Sequence, residues 1–558
     1  MCGFFVATKC KLTENSLAKI GDLLSHRGPD SLSISFEDNL QLSMVFARLA
    51  IQDLSIDANQ PLFSEDKRYI LLYNGEIYNK DDLAVRVPGS RAWQTSCDTE
   101  ILLYSLIERG IEETLRDIEG MFAFVFVDTQ TRELFAARDM FGIKPLYYAG
   151  TKEGGVVFAS EIKSLKPLMD VSVNQILLRE FLLCGLIDHT NSTLVTGVRK
   201  VVPGTYLRIF QNRIEEIKWA QTTNDLNVPS KFSDFVNFLE EEFITSMGQA
   251  IVSDVPVGMT LSSGVDSNLI RVLLNHFNMK PRMILVDWGN SIYSETDFLT
   301  PLLRNSHDLV VESFSAFEVL DLVEESFYHH DEPYTSAFVA IWPEVYMRAK
   351  SKGIGVVLDG SGADELFYGY SKYQTSLSNF SQKALDGKNV SLGPQSYFVS
   401  QPSSLEEARL LDIFSLKLPR SLRFSDYASM SASLELRPFY LTRRKFLIAN
   451  QAPIEWMISD VNTKLILRKI LGKLDPAYDV NQLKKSVQLP QNEWLHTEWR
   501  SHIMSRICET GNILDLVTDN SERELIVEQV QNYSAGATGV NLNFIWRLFI
   551  TQKWLEAW

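Results

Sequence analysis

The feature that most constrains this chain is a change of texture near residue 211. Before it lie short apolar or alternating runs, among them Tyr69–Tyr73, Ala123–Val127 and Val156–Ala159. Turn clusters such as Arg27-Gly28-Pro29-Asp30 separate them, which predicts a β-rich domain with a few helices, one of them over 99–109. Residues 211–232 are polar, with Thr222-Thr223-Asn224-Asp225 and Pro229-Ser230, and read as a linker. Beyond it Phe235, Phe238, Leu239, Phe243, Met247 and Ile251 recur at helical spacing, predicting an amphipathic helix over 234–253. Val255–Leu261, Met283–Val286 and Gly355–Leu358 then read as buried parallel strands alternating with helices. From about 403 onward the pattern is helical, and the stripe of Phe544, Trp546, Phe549 and Trp554 reads as core. The expectation is an α+β domain over 2–210, a linker over 211–232, and an α/β domain over 233–558 with a helical C-terminal part.

Charge and cysteine content narrow the partners. A formal net charge of -16 over 558 residues speaks against a phosphate-backbone ligand, since nucleic-acid binders carry a basic face. Cys2, Cys10, Cys97, Cys184 and Cys508 form no CxxC pair, which fits free thiols in a reducing, cytoplasmic setting. No apolar run is long enough for a membrane span, and His329-His330 before Asp331 fit a loop better than a zinc site.

Cys2 stands where removal of Met1 leaves its thiol beside a free α-amine. With a pKa of roughly 8 that amine can take the thiol proton, so one residue supplies nucleophile and base. A chance cysteine is equally compatible with Cys2 alone. Asn74-Gly75, after Leu71-Leu72-Tyr73, suits an oxyanion hole as well as it suits a hairpin turn. Arg48, set in an apolar run, could grip a substrate carboxylate or send its head to solvent. Asp98 could cap the helix that follows or hold a substrate ammonium.

Six motifs in order carry a resemblance. They are Cys2-Gly3, His26-Arg27-Gly28-Pro29-Asp30, Tyr73-Asn74-Gly75-Glu76-Ile77-Tyr78-Asn79, Asp98-Thr99-Glu100, Arg138 to Tyr148, and Phe158-Ala159-Ser160-Glu161-Ile162-Lys163. Together they resemble the glutaminase half of glutamine-hydrolysing asparagine synthetases, N-terminal-nucleophile amidotransferases of class II. The resemblance implies an αββα sandwich in which Cys2 attacks the glutamine amide. It assigns Arg48 to the glutamine carboxylate, Asn74 and Gly75 to the oxyanion, and Glu76 and Asp98 to the substrate's polar groups. Met140 departs from the family's usual Arg.

A second site opens where Val255–Leu261 runs into Ser262-Ser263-Gly264-Val265-Asp266-Ser267 and a helix. A loop of small residues at a helix start offers N–H groups to a phosphate, although an ordinary βα turn looks similar. Asp266 is suited to Mg²⁺ rather than to phosphate. Leu358-Asp359-Gly360-Ser361-Gly362-Ala363-Asp364-Glu365-Leu366-Phe367 resembles the second signature of the same family's ATP-pyrophosphatase domain. That resemblance makes Asp364 the other Mg²⁺ carboxylate, lets Asp359 and Gly360 line the nucleotide, and sets Leu261 and Val286 beside the adenine. It also gives Lys484 the developing charge on an acyl-adenylate, although Gln482 replaces the usual Arg.

Departures concentrate around the acceptor. Ser263 stands where the family has Gly, which would strain it if φ were positive and otherwise frees its hydroxyl for a phosphate. Ser361 replaces an acidic residue that assists ammonia attack. Glu435-Leu436-Arg437-Pro438-Phe439 is one residue shorter between Arg and Pro than ExRxPF and lacks the Asp that follows it, and the Arg that the family's aspartate-specific members place shortly after Asp331–Ser336 is missing. The expected activity is ATP-dependent amidation of a carboxylate with glutamine as donor, with Mg²⁺ and a homodimer as a candidate assembly. Aspartate is the default acceptor and a sugar acid such as a uronate the alternative. A non-catalytic regulator on the same fold is the reading from another class.

Overall fold

In the computed structural model, residues 2–557 are described apart from 11, 90, 212, 224–225, 290–292, 305, 375–401, 483–488, 508–510 and 518. Lys484, Cys508 and part of the expected linker lie outside the described residues.

The runs of the first 220 residues become twelve strands: β1 (Cys2–Ala7), β2 (Ser31–Glu37), β3 (Leu42–Arg48), β4 (Leu62–Phe63), β5 (Tyr69–Ile77), β6 (Gly120–Asp128), β7 (Glu133–Arg138), β8 (Tyr147–Gly150), β9 (Val156–Ala159), β10 (Arg199–Lys200), β11 (Thr205–Phe210) and β12 (Arg213–Lys218). One sheet runs in the order β10-β8-β9-β1-β3-β2 and the other in the order β12-β11-β7-β6-β5-β4, with antiparallel neighbours throughout. Because strand side chains alternate between faces, each buried strand feeds two cores. Cys2, Phe4 and Val6 meet Ile70, Leu72, Ala123 and Val125 between the sheets. Phe5, Ala7, Val45 and Ala47 face the opposite way, onto Leu17, Ile20 and Leu24 of helix α1 (Glu14–Leu24). Beyond the second sheet Leu71, Tyr73, Phe122 and Phe124 pack on α2 (Lys80–Arg86) and α3 (Asp98–Asp117). This is the expected αββα layering. A further helix, α4 (Gln175–Cys184), packs on the C-terminal helix Leu542–Ala557.

Residues 213–218 differ from the linker reading, since they form β12 in a hairpin with β11. The strand is an exposed edge carrying Arg213, Glu215, Glu216 and Lys218, the charge pattern that keeps sheet edges from pairing further. Its polarity therefore mimics a linker.

Helix α5 (Phe232–Ala250) leads into a parallel sheet of β13 (Val257–Thr260), β14 (Arg282–Val286), β15 (Leu309–Glu312), β16 (Val356–Asp359) and β17 (Glu435–Pro438), in the order β15-β14-β13-β16-β17. Three of these strands follow from their apolar runs. β17 does not, since its charges and proline sit inside a helical region. Pro438 is tolerated there because β17 is an edge strand. Helix α6 (Val265–His276) leaves the carboxyl end of β13.

The two halves meet through buried charge. Arg27, fully buried, donates to Glu161 at 2.8 Å and to Asp426 at 2.9 Å. Asp331 accepts from the Ile162 N–H at 2.5 Å and the Tyr427 hydroxyl at 2.6 Å. His330 is wholly buried against Tyr334 and Tyr427, and among the described residues no group of three or more His, Cys, Asp or Glu is placed to hold a metal. No helix among the described residues is long and apolar enough to cross a membrane.

Candidate active site

Register places the first site. Cys2 opens β1 opposite Arg48 at the end of β3, and both lie against the end of β5. The Cys2 nitrogen donates to Asn74 Oδ1 at 2.9 Å. That bond turns the other end of the amide, Nδ2, into a buried donor with no partner among the described residues. Gly75 fits where no other residue could, because a Cβ there would lie 2.3 Å from the Met121 carbonyl oxygen. The edge of β5 that carries Tyr73, bonded in both directions by the Gln60 amide, also turns the Gly75 N–H away from β6. Burial pushes the Cys2 thiol above its usual range.

Arg48 does not reach solvent. It is 6% exposed, and its guanidinium donates to the Ser55 carbonyl at 2.6 Å, to Asn59 Oδ1 at 2.8 Å and to the Asp53 carbonyl. Asp98 does not cap α3, whose N-cap is Cys97. Instead it reaches across to the Tyr73 hydroxyl at 2.7 Å and the Ile77 N–H at 2.8 Å. Glu76 accepts from Gln52 and lies 3.3 Å from Arg437. Burial raises both carboxyls, Glu76 well above the usual range despite Arg437. The Cys2 pocket holds about 30 Å³, room for a water or two, so a substrate must displace part of its wall.

One wall comes from the other half of the molecule. Glu435 of β17 lines the Cys2 pocket. Arg437, wholly buried, donates to Glu435 at 2.6 Å and to the Ala250 and Val252 carbonyls at 2.7 and 2.8 Å. The sequence marks this segment only as an irregular motif. Its place beside Cys2 depends on contacts across hundreds of residues.

The second site is a cavity of about 870 Å³ at the carboxyl ends of β13 and β16. Leu261, Ser262, Ser263, Gly264, Asp266, Ser267, Val286, Asp359, Gly360, Ser361 and Asp364 all line it, so every described residue expected there is brought together. The 262–267 loop is tied by Ser267 Oγ, which accepts from the Ser262 N–H at 3.0 Å. Ser263 has no positive φ and so no strain at that angle. Its N–H and hydroxyl both donate to Glu295, at 2.8 and 2.6 Å, rather than facing the cavity alone. Asp359 accepts from the Ser361 N–H at 2.8 Å, from the Ser361 hydroxyl, and from Thr260 at 2.9 Å.

Lys464 is the residue the sequence reading missed. Its ammonium sits between Asp266 and Asp364, 2.6 Å from the latter. Burial opposes that charge, but the two carboxylates outweigh it and hold the ammonium above its usual range. The lysine adopts φ +54 to reach this point, and Gly369 makes room for it: a Cβ there would meet Asp364 Oδ1 at 1.9 Å and Lys464 Cε at 2.0 Å. Two carboxylates already meeting on a cation fit the oxygen-rich demand of Mg²⁺, which takes one or two carboxylates and completes its shell with water and phosphate.

Two family descriptions match the chain: "Glutamine amidotransferase domain" over residues 1–220 and "Asparagine synthase" over residues 239–556. A protein of Bacillus subtilis (strain 168) named asparagine synthetase, glutamine-hydrolyzing, 1 is 26% identical over 624 residues, covering 99% of this chain and 96% of its own. The asparagine synthetase of Zea mays is 30% identical over 395 residues, covering 66% of this chain and 60% of its own. Among solved structures, the glutamine phosphoribosylpyrophosphate amidotransferase from B. subtilis complexed with ADP and GMP aligns at 18% identity over 51% of this chain and 75% of that one. Its TM-score is 0.30, too low to bear on either site. With one family description spanning residues 239–556 and the other the sandwich before it, the chain belongs to the asparagine synthase family and is built as a glutamine-hydrolysing ligase.

Proposed function

We propose that this protein hydrolyses glutamine at Cys2 and spends ATP to activate a carboxylate that captures the ammonia. The observation that carries the reading is that β17 belongs to both sites. Its first residue, Glu435, walls the Cys2 pocket, while its last, Pro438, pairs with Asp359 at the ATP cavity. Two sites sharing one short strand suit two half-reactions that exchange an intermediate.

At the first site the Cys2 thiolate attacks the glutamine amide carbon. The oxyanion is stabilised by Asn74 Nδ2 and the Gly75 N–H, ammonia leaves, and water returns the thioester to glutamate. Arg48 faces the substrate carboxylate, and Glu76 and Asp98 offer negative charge to its ammonium. Both carboxyls are held in a dry setting, so a bound ammonium favours their charged forms.

At the second, the 262–267 loop and the start of α6 face the ATP phosphates, Leu261 and Val286 the adenine, and Asp359 and Gly360 the nucleotide. An acceptor carboxylate oxygen attacks the α-phosphorus and pyrophosphate departs. Ammonia then attacks the acyl carbon, and AMP leaves with loss of one proton. Asp266 and Asp364 would hold Mg²⁺, which neutralises phosphate charge. Lys464, between them, is a second cation for the departing pyrophosphate, and Lys484 is assigned to the acyl-adenylate.

Aspartate, the acceptor implied by the relatives' names, is the first to test. Pyrophosphate release is measured with ATP, Mg²⁺ and either glutamine or ammonia, while asparagine is followed by chromatography. Cys2→Ala should abolish glutamine-dependent turnover and leave ammonia-dependent turnover intact. Equal loss of both would refute the two-site reading.

A further inference from the structure

Capture of ammonia by an acyl-adenylate leaves one proton too many on the nitrogen of the adduct, and the amide forms only once a base removes it. The groups suited to that task are carboxylates of the ATP cavity whose charge no cation already matches. Among the described lining residues there are four carboxylates. Asp266 and Asp364 meet on the Lys464 ammonium and are the pair suited to Mg²⁺. Glu295 and Asp359 are bonded by neutral donors.

Sheet order separates these two. The Glu295 N–H donates at 2.6 Å to Asp287, the residue just beyond β14, and its carboxylate anchors the phosphate-facing loop through the Ser263 N–H and hydroxyl. Its Oε1 is buried with no hydrogen-bond partner among the described residues, which makes Glu295 the competing base. Two strands, β13 and β16, stand between β14 and β17. Asp359 instead ends β16, directly beside β17. It pairs with Pro438, and its carbonyl accepts from the Phe439 N–H at 3.0 Å. The first residue of β17 walls the Cys2 pocket, so Asp359 is the carboxylate on the side where ammonia is released.

Three neutral donors orient the Asp359 carboxylate without cancelling its charge. Oδ1 accepts the Ser361 N–H at 2.8 Å and the Ser361 hydroxyl, while Oδ2 accepts the Thr260 hydroxyl at 2.9 Å. A serine hydroxyl has one hydrogen to donate and two lone pairs with which to accept. With its hydrogen committed to Asp359, Ser361 Oγ offers its lone pairs to an N–H in the cavity that it lines. The pair is thus arranged to take a proton at the serine oxygen and store it on the carboxylate.

We infer that Asp359, acting through the Ser361 hydroxyl, is the base that takes the proton from the ammonia adduct. This rests on the adenylation reading above and supplies the proton acceptor for it. The ammonia lone pair forms the C–N bond as the acyl C=O pair moves onto oxygen. One proton of the cationic nitrogen passes to Ser361 Oγ while the serine's own proton passes to Asp359 Oδ1. The oxygen pair then restores C=O, the bond to the phosphate oxygen breaks, and AMP leaves with its electrons. Asp359 returns its proton to water as the amide departs.

The test offers aspartate and glucuronate as acceptors, with ATP and Mg²⁺, and compares three rates. These are exchange of labelled pyrophosphate into ATP, amide formation with ammonium chloride, and hydroxamate formation with hydroxylamine. Exchange reports folding and adenylation, so each variant is scored by the ratio of product formed to pyrophosphate exchanged. Asp359→Asn should lower that ratio for ammonia by roughly a hundredfold or more, the size of a lost general base, and Ser361→Ala by about tenfold or more. Hydroxylamine adducts shed their proton far more readily, so with hydroxylamine Asp359→Asn should come within about tenfold of the unsubstituted enzyme. An unchanged ratio in Asp359→Asn, or equal losses with ammonia and hydroxylamine, would overturn the inference while leaving adenylation standing. A fall confined to Glu295→Gln would also overturn it, by handing the proton to that carboxylate. No exchange by the unsubstituted enzyme with either acid would bring down the adenylation reading and the inference with it.

Discussion

Arg437→Met tests whether β17 is a structural part of the Cys2 pocket. The side chain is wholly buried, 2.6 Å from Glu435 and 3.3 Å from Glu76, and it satisfies the Ala250 and Val252 carbonyls. Without Arg437, burial would lift Glu435 from its present value of about 2 and strand Glu76 with no cation. Removing one member of a buried ion pair costs about 3–5 kcal/mol. At roughly 1.5 °C per kcal/mol for a domain as long as residues 239–556, from about 2.1 cal/mol/K of unfolding entropy per residue, Tm falls by about 6 °C. The double variant Arg437→Met/Glu435→Gln removes one of the stranded charges and should regain about 2 kcal/mol of that loss. Glutamine KM should rise about tenfold in the single variant, since about 1.4 kcal/mol of substrate binding is lost with the misplaced Glu76. Scanning calorimetry at neutral pH and a glutaminase assay read both effects. A fall in Tm below 2 °C, or a double variant no more stable than the single, would mean that Arg437 does not hold the Cys2 pocket together.

Four further changes probe other links. Asn74→Ala removes the unpartnered Nδ2 donor and should lower the glutaminase kcat by roughly 10²–10³-fold, while Cys2 still reacts with iodoacetamide; a smaller drop would take the oxyanion away from Asn74. Lys464→Met leaves Asp266 and Asp364 facing each other, so ATP-dependent pyrophosphate release should fall at least a hundredfold, by roughly 3 kcal/mol, and Gly369→Ala should reproduce the loss by displacing the same pair. Glu365 is buried beside Asp364, and burial first, then that neighbour, raises its carboxyl to about 7. Because the folded value lies above the unfolded one, stability is greatest below about pH 4.5 and falls as pH rises through 7. Glu365→Gln should therefore stabilise the protein by about 3 kcal/mol at pH 8 and by almost nothing at pH 4, as melting curves at the two pH values would reveal.

What the sequence discloses here is what short stretches of chain decide. The 262–267 loop is legible because a strand, a run of small residues and a helix follow one another without interruption. Asn74 and Gly75 stand out because a polar pair ends a strand of apolar residues. The fate of Ser263 was not legible, since its partner Glu295 lies on another segment. Lys464 hides for a similar reason: it meets Asp266 across 198 residues, and no local pattern distinguishes it from a solvated lysine. β17 reads as part of a helical region because four residues are too few for a period of two to declare itself.

The narrowness of the Cys2 pocket has a consequence for how the enzyme ages. A thiol with space beside it for only a water or two can be reached by peroxide, which is little larger than water, but not by glutathione, which needs at least the widening that glutamine needs. Its burial also keeps it in the protonated form that oxidants attack slowly. Mixed-disulfide formation with glutathione is thereby confined to the openings that admit substrate, while peroxide is slowed only by the thiol's protonation. An idle enzyme should therefore resist glutathionylation, and a busy one should acquire it in proportion to turnover.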